Sequence, residues 1–412
     1  MTLVALIAGT YEPDRCGVAH YTARLRDALK QQQVESIVLT THAAAQIAKD
    51  ADVRGVVKGW QLNHLLPLVK AIHQSNADIL HIQHAAGTYG FERAIFLLPL
   101  LLKVTGWRSP IVTTVHEYGW WEWQPKGIPP QVLEWLKSWG QKRYWWDRED
   151  GFLLTMSDAR ITTNQDAETA IASRLPEVKH VYQIPIAANV EVAPIERSVA
   201  RQLLRQKCCW HQETTVIAFF GFLHPVKGLE TLLPAFKKVQ QAQPQARLLL
   251  VGGVESLALT GEDAKKYWDR LNTLIAELNL SGLVHLTGYV NAQTASYYIS
   301  GADIGVLPFN HGVTLKSGSL LTLLAHSLPV IATQAPTTDS VPPLLPLSPS
   351  PLLPLLPPRN VDALATELLT LLNDSAKRYQ LGKAGETFVQ NLSWENIARS
   401  HCSIYPKLTR SI

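Results

Sequence analysis

Two short stretches carry residue types suited to holding an anion. Residues 312–321 read GVTLKSGSLL, between the apolar run IGVLPF and a leucine-rich helix-like run. Residues 221–228 read GFLHPVKG and follow TVIAFF directly. In the first, the opening turn of a helix presents unbonded N–H groups and about half a positive charge. Ser317 and Ser319 can cap that turn or donate to an anion, Gly318 lets a ligand approach the backbone, and Lys316 stands just outside. In the second, Gly221 ends a strand, and Lys227 beside Gly228 brings a point charge to the start of the next helix. The order of glycine, lysine and serine differs from that of a P-loop, and the loop is shorter. A serine-capped helix with no ligand would read the same way, so the elements around these stretches must decide.

Those elements alternate apolar strand, polar turn and amphipathic helix. Strands are predicted at 3–9, 35–40, 78–83, 110–116, 159–164 and 180–185, and the pattern restarts at 215–221, 246–253, 283–289, 303–309 and 329–333. Continuous apolar strands between helices indicate parallel sheet covered on both faces, an α/β class. The predicted organisation is two doubly wound Rossmann-like domains, 1–190 and 191–385, with 386–412 as a C-terminal helix packing back on the first. Ligands of such sheets sit beyond the carboxyl ends of the strands, and both anion stretches leave such an end.

Bulk properties agree. A chain of 412 residues exceeds one ordinary core. A net charge of +4 is too mild and too dispersed for a nucleic-acid binder, while leaving room for an anionic small ligand. Cys16, Cys208, Cys209 and Cys402 show no metal spacing, so reduced thiols and a cytoplasmic setting are expected. MTLVALIAGT reads as a first strand and not a secretion signal. AIFLLPLLLKV is broken by Pro99 and Lys103, and is too short for a bilayer. His81 and His84, three apart on a strand, point to opposite faces and do not suit a metal; Gln83 and His84 are expected to line the ligand cleft.

Taken together, GFLHPVKGLETLLPAFKKVQQAQPQARLLLVGG, HLTGYVNAQTASYYISGADIGVLPF and GSLLTLLAHSLPVIAT resemble, in order and spacing, the C-terminal domain of family 4 glycosyltransferases, retaining enzymes of the GT-B fold. In the first half YEPDRCGVAHYTARLRDAL is similar to that family's glycine loop and first helix, TVHEYG to its strand ending in histidine, and SWENIA to its C-terminal helix. The resemblance implies two domains facing a central cleft. It implies a nucleotide-diphosphate sugar as donor, with no cofactor and no metal, and a glycan or lipid-linked acceptor. By the same resemblance His116 and Lys227 are the catalytic candidates. Gly17, Gly221, Lys227, Tyr289, Val290, Lys316, Ser317, Gly318, Ser319, Leu320 and Thr322 would contact the nucleotide sugar, Tyr289 and Val290 near its base. No convincing Asp-x-Asp follows an apolar strand, against the metal-dependent alternative fold.

The chain departs from the family at three places. Thr314 and Thr322 stand where a pair of glutamates is expected, and Phe222 where an arginine is; Lys316 is the residue able to replace the missing charge. Two rivals follow. A non-catalytic GT-B partner fits the loss of the acidic pair, and a sugar-nucleotide epimerase would need Glu117 and Glu122. Eight of twelve tryptophans lie between Trp107 and Trp146. In residues 131–146, Val132, Trp135, Leu136, Trp139, Arg143 and Trp146 form a stripe that suits either packing on the sheet or peripheral contact with a membrane's inner face. WWEW (120–123) is the expected acceptor contact. Residues 342–358, with eight prolines and seven leucines, read as an extended surface excursion.

Overall fold

The computed structural model describes residues 2–12, 16–119, 127–334 and 353–409. The chain divides into two compact units, Met1–Ile186 with Trp394–Ile412, and Ala187–Ser393. The C-terminal segment expected from 386 thus joins the first unit only from Trp394. Residues 386–389 end a helix, Ser375–Val389, that belongs to the second unit. Two glycines explain its attachment there: a Cβ on Gly382 would lie 2.3 Å from the Ser327 carbonyl oxygen, and one on Gly385 would lie 2.7 Å from Leu324.

In the first unit, β1 (Leu3–Ala8), β2 (Glu35–Thr41), β3 (Val53–Val57), β4 (Ile79–His84), β5 (Ile111–Val115), β6 (Ala159–Thr162) and β7 (Val181–Gln183) form one parallel sheet. Its order is β3-β2-β1-β4-β5-β6-β7. In the second, β8 (Thr215–Phe220), β9 (Ala246–Val251), β10 (Val284–Leu286), β11 (Ile304–Leu307), β12 (Val330–Thr333) and β13 (Leu355–Leu356) follow the order β10-β9-β8-β11-β12-β13. Both are doubly wound, and the winding reverses between β1 and β4 and between β8 and β11. The crevice at each reversal is where this topology receives ligands.

Two strands lay outside the predicted set. In β3 the run VRGVV carries the exposed Arg54 and Gly55 in its middle, which hides its buried valines. β13 corrects the surface excursion read into 342–358, most of which lies outside the described residues. Pro354 and Leu356 lend carbonyls to the amides of Ala332 and Gln334, a use of the sheet edge that proline permits.

Helix formation follows the apolar period. Helix Leu229–Ala242 buries Leu229, Leu232, Leu233, Phe236 and Val239 against the second sheet. Across that sheet, the buried Arg205 donates to the carbonyls of Thr214 and Gly301 and to Asp303, which also accepts from the Val216 amide. That network fixes β8 against β11, the two strands flanking the second reversal. No helix among the described residues is long and apolar enough to cross a membrane.

Candidate functional site

In the second unit β8 runs into Gly221, whose φ of 136° requires glycine. A Cβ there would come within 2.7 Å of the Ser319 hydroxyl oxygen, so Ser319 lies directly over this strand end. The His224 ring then caps a single 3₁₀ turn, Pro225–Lys227, with Nδ1 accepting from the Val226 amide at 3.3 Å. Asn310, just past β11, ties that turn down: its amide donates to the Val226 carbonyl and its side chain to the Pro225 carbonyl, each at 2.9 Å.

The tie sets Lys227 at the reversal point. Its Nζ stands 3.8 Å from the centroid of the Phe309 ring. It makes no hydrogen bond or ion pair among the described residues, and burial lowers its pKa to about 8. An ammonium resting on an aromatic face with no counter-charge is a cation held ready for an anion.

The 312–321 stretch forms the expected turn. Ser317 caps helix Gly318–Ala325, its hydroxyl accepting from the Leu320 amide at 3.3 Å. That bond corrects one expectation, because the Leu320 amide is already used and its side chain is fully buried. Thr322 is a second correction. It is wholly buried, its hydroxyl finding no partner among the described residues, so it faces the core instead of a ribose. The turn therefore offers Gly318, Ser319 and the exposed Lys316. Sequence reasoning missed Asn189: a Cβ on Gly318 would lie 2.3 Å from its amide nitrogen. Only folding brings that distant asparagine here. Gly253 packs against the Tyr289 backbone, Tyr289 is 44 % exposed, and Val290 rests partly buried on the core.

The first unit treats its polar groups differently. His116, at the end of β5, is buried, and its amide donates to the His84 carbonyl. Its Nε2 lies 3.0 Å from Gln83 Oε1, and the Tyr21 ring meets it edge-on at 4.7 Å. Burial, then the neighbouring His84 and His401, lowers its pKa to about 3, so it is neutral at ordinary pH. Gly17 starts helix Gly17–Gln31, exposed and with open space around its α-carbon. Gln83 and His84, expected to line a cleft, are wholly buried, and His84 Nε2 lies 2.9 Å from the buried Asp150.

Asp147, Glu149 and Asp150 were not singled out in the sequence, although DRED is a conspicuous acidic run in an aromatic segment. They clamp the loop after β5. Tyr118 donates to Asp147 at 2.7 Å, and the Gly119 amide and Arg174 donate to Glu149, the latter at 2.6 Å. Burial and then the charge of Asp150 raise the Glu149 pKa to about 7. The WWEW stretch beyond Gly119, with Glu122, lies outside the described residues; Glu117 is exposed.

The aromatic stripe is rotated from its expected sheet packing. Helix Pro130–Lys142 buries Leu133, Lys137 and Gly140, leaving Val132 and Trp135 exposed, the latter by 61 %. Gly140 sets this rotation, since Trp146 occupies the space a Cβ would need. Trp135 stacks on Trp139, Trp145 is exposed, and the Arg143 guanidinium lies 4.6 Å from the Trp139 ring.

Among the described residues no group of three or more His, Cys, Asp or Glu is arranged to hold a metal ion. Residues 214–374, which hold the lysine turn and the serine-capped helix, match the family model described as glycosyl transferases group 1. Over 402 residues the chain is 25% identical to a GDP-mannose-dependent monoacylated alpha-(1-6)-phosphatidylinositol monomannoside mannosyltransferase of Corynebacterium glutamicum, covering 95% of this chain and 94% of that protein. It is 24% identical over 358 residues to an MMP alpha-(1->4)-mannosyltransferase of Mycolicibacterium hassiacum, covering 82% and 72%. Among solved structures it resembles sucrose-phosphate synthase from Thermosynechococcus elongatus, with a TM-score of 0.69, 21% identity and full coverage of both chains. It also resembles Anabaena Alr3699/HepE in complex with UDP, with a TM-score of 0.68, 15% identity, and 99% and 100% coverage. Two doubly wound sheets, a lysine without a counter-charge among the described residues at the second reversal, and these likenesses converge: the chain has the GT-B fold, and its residues 214–374 match the group 1 glycosyl transferases.

Proposed function

We propose that this glycosyltransferase moves a sugar from a nucleotide-diphosphate sugar to a glycan or lipid-linked acceptor with retention of configuration, needing no resident metal. The observation that carries the reading is Lys227, an ammonium without a counter-charge among the described residues, at the crevice where β8 and β11 part. In the reaction the bond from the sugar's anomeric carbon to the diphosphate oxygen breaks, and its electron pair leaves with the diphosphate. The acceptor hydroxyl bonds to that carbon on the same face, passing its proton to a departing phosphate oxygen. Lys227 and the amides of Gly318 and Ser319 stabilise the growing charge; one such preorganised donor contributes on the order of 3 kcal/mol to the barrier. Both curated relatives are named mannosyltransferases, which supports a mannosyl donor such as GDP-mannose.

The lipid in the Corynebacterium relative's name, together with the exposed Trp135 and Trp145 beside Lys142 and Arg143, supports peripheral contact with an anionic membrane. Flotation with phosphatidylinositol vesicles, in which wild type rises and a Trp135→Ser/Trp145→Ser variant stays behind, tests that element; a wild-type protein that stays behind removes it. Thr314 and the buried Thr322 favour a second reading, a nucleotide-binding partner without catalysis. Incubation with GDP-, UDP-, ADP- and TDP-sugars separates the two readings. Stabilisation against heat followed by an α-linked product from an α-linked donor supports the enzyme, and binding without turnover supports the partner. A protein that no nucleotide stabilises overturns both.

A further inference from the structure

The central strands of the first sheet carry an unusual polar stripe. Along β4, His81 and Gln83 share a face, as the two-residue period requires; Thr114, the register partner of Gln83, and His116 continue it on β5 and beyond. All four are buried, and the opposite face of β4 packs Leu80 and Ile82 into an apolar cluster. Buried polar groups in a parallel sheet destabilise it unless each finds a partner, and here they find one another.

The chain of contacts runs in one direction. Tyr405, on the C-terminal helix Trp394–Thr409, has its hydroxyl 2.9 Å from His81 Nδ1. His81 Nε2 lies 2.7 Å from the Thr114 hydroxyl and 3.2 Å from the Gln83 amide nitrogen. Gln83 therefore turns its amide nitrogen to His81 and its oxygen Oε1 to His116, 3.0 Å from Nε2. An amide oxygen only accepts, so the His116 nitrogen facing it carries the hydrogen. A neutral ring with Nε2–H leaves Nδ1 as a bare lone pair. His401, whose ring lies 5.6 Å from that of His81, donates from its own Nδ1 to the Ile397 carbonyl and stays outside the relay.

We propose that Gln83 is a positioning residue: oriented by His81, Thr114 and Tyr405, it fixes His116 as the Nε2–H tautomer and so offers Nδ1 to a hydroxyl of the transferred sugar. The tautomer is a property of the first unit alone; its use on a sugar rests on the glycosyltransferase reading. Burial keeps the ring neutral, which suits it to a hydroxyl and not to a phosphate.

Long-range proton–nitrogen spectra of the full chain labelled with ¹⁵N-histidine, with His116 assigned from a His116→Asn variant, test this directly. Wild type is expected to show His116 purely as Nε2–H; an Nδ1–H ring or a mixture overturns the proposal. Gln83→Met, similar in volume, should give a tautomer mixture and about a tenfold fall in kcat with unchanged nucleoside diphosphate Kd, as for one lost hydrogen bond. An unaltered ring signal in that variant overturns the proposal. Should that variant not fold, Tyr405→Phe, which removes one oxygen at the far end, carries the same comparison: a mixture supports the relay and a pure Nε2–H signal overturns it. A wild-type protein with the predicted signature that consumes no nucleotide sugar leaves the positioning role standing and overturns the proposed function.

Discussion

The two candidate regions handle charge in opposite ways. In the second unit, a lysine without a counter-ion among the described residues, a glycine strand end and a serine-capped helix leave positive potential unspent. In the first, buried polar side chains bond one another, and burial keeps His116 neutral. The first arrangement is completed only by an external anion; the second is complete in itself and presents one aimed lone pair. On the proposed function, the contrast would match a charged leaving group, which asks for field, and a neutral sugar, which asks for orientation.

The sharpest way to break the contrast is to remove the unspent charge. Lys227→Ala should lower kcat at least a hundredfold, in line with the loss of about 3 kcal/mol of leaving-group stabilisation, and steady-state transfer assays check it. The same amine makes nucleoside diphosphate affinity flat below pH 8 and falling above it, as the pKa of about 8 is crossed and the ammonium is lost; calorimetric titration across pH 6.5–9.5 reads this. Next in size is Gly221→Ala. A positive φ and the Ser319 hydroxyl at 2.7 Å oppose the added methyl, so about 1–3 kcal/mol of stability should be lost, together with nucleotide binding. Urea unfolding and thermal shift with GDP measure the two effects.

The first unit is probed by pH. His116 and His401, lowered to about 3 and about 4, refuse protons in the folded state that the unfolded chain binds below its ordinary pKa of 6.5. Their contribution is therefore present above pH 6.5 and lost as pH falls toward 4, by about 2 kcal/mol or more. Glu149 works the other way. Its folded carboxyl, raised to about 7, keeps a proton that the unfolded chain releases above 4.5, so its contribution falls as pH rises between those values. Urea unfolding of wild type and Glu149→Gln from pH 4 to 8 should show the variant rising more steeply. The smallest effect belongs to Lys316→Ala. That side chain is exposed, so nucleoside diphosphate affinity should fall only about threefold and the difference should vanish in high salt; unchanged affinity at low salt removes Lys316 from the site.

Most of the fold was legible because the parallel strands are short, largely apolar runs between amphipathic helices, and eleven of the thirteen described strands overlap a predicted one. The exceptions had physical reasons. The β3 run is interrupted by Arg54 and Gly55, and β13 is two leucines among prolines that join the sheet through their carbonyls. Of the candidate site, Gly221, Lys227 and the 317–319 turn were readable because glycine, lysine and serine announce their use locally. The rotation of helix Pro130–Lys142 was not, because it depends on Trp146 filling the gap at Gly140.

Sequence by itself determined the two windings, the strand ends that carry the lysine and serine turns, and the mildly positive overall charge that suits a small anionic ligand. Those properties depend on residues close together in the chain. Only tertiary structure decided that Asn189 reaches Gly318, that Thr322 and Leu320 are spent on the core and the cap, and that Tyr405 speaks to His116 through Gln83. The approach of Asn189 to Gly318 and the Tyr405–His81 and Gln83–His116 contacts join residues far apart in sequence, set by packing that no local pattern encodes.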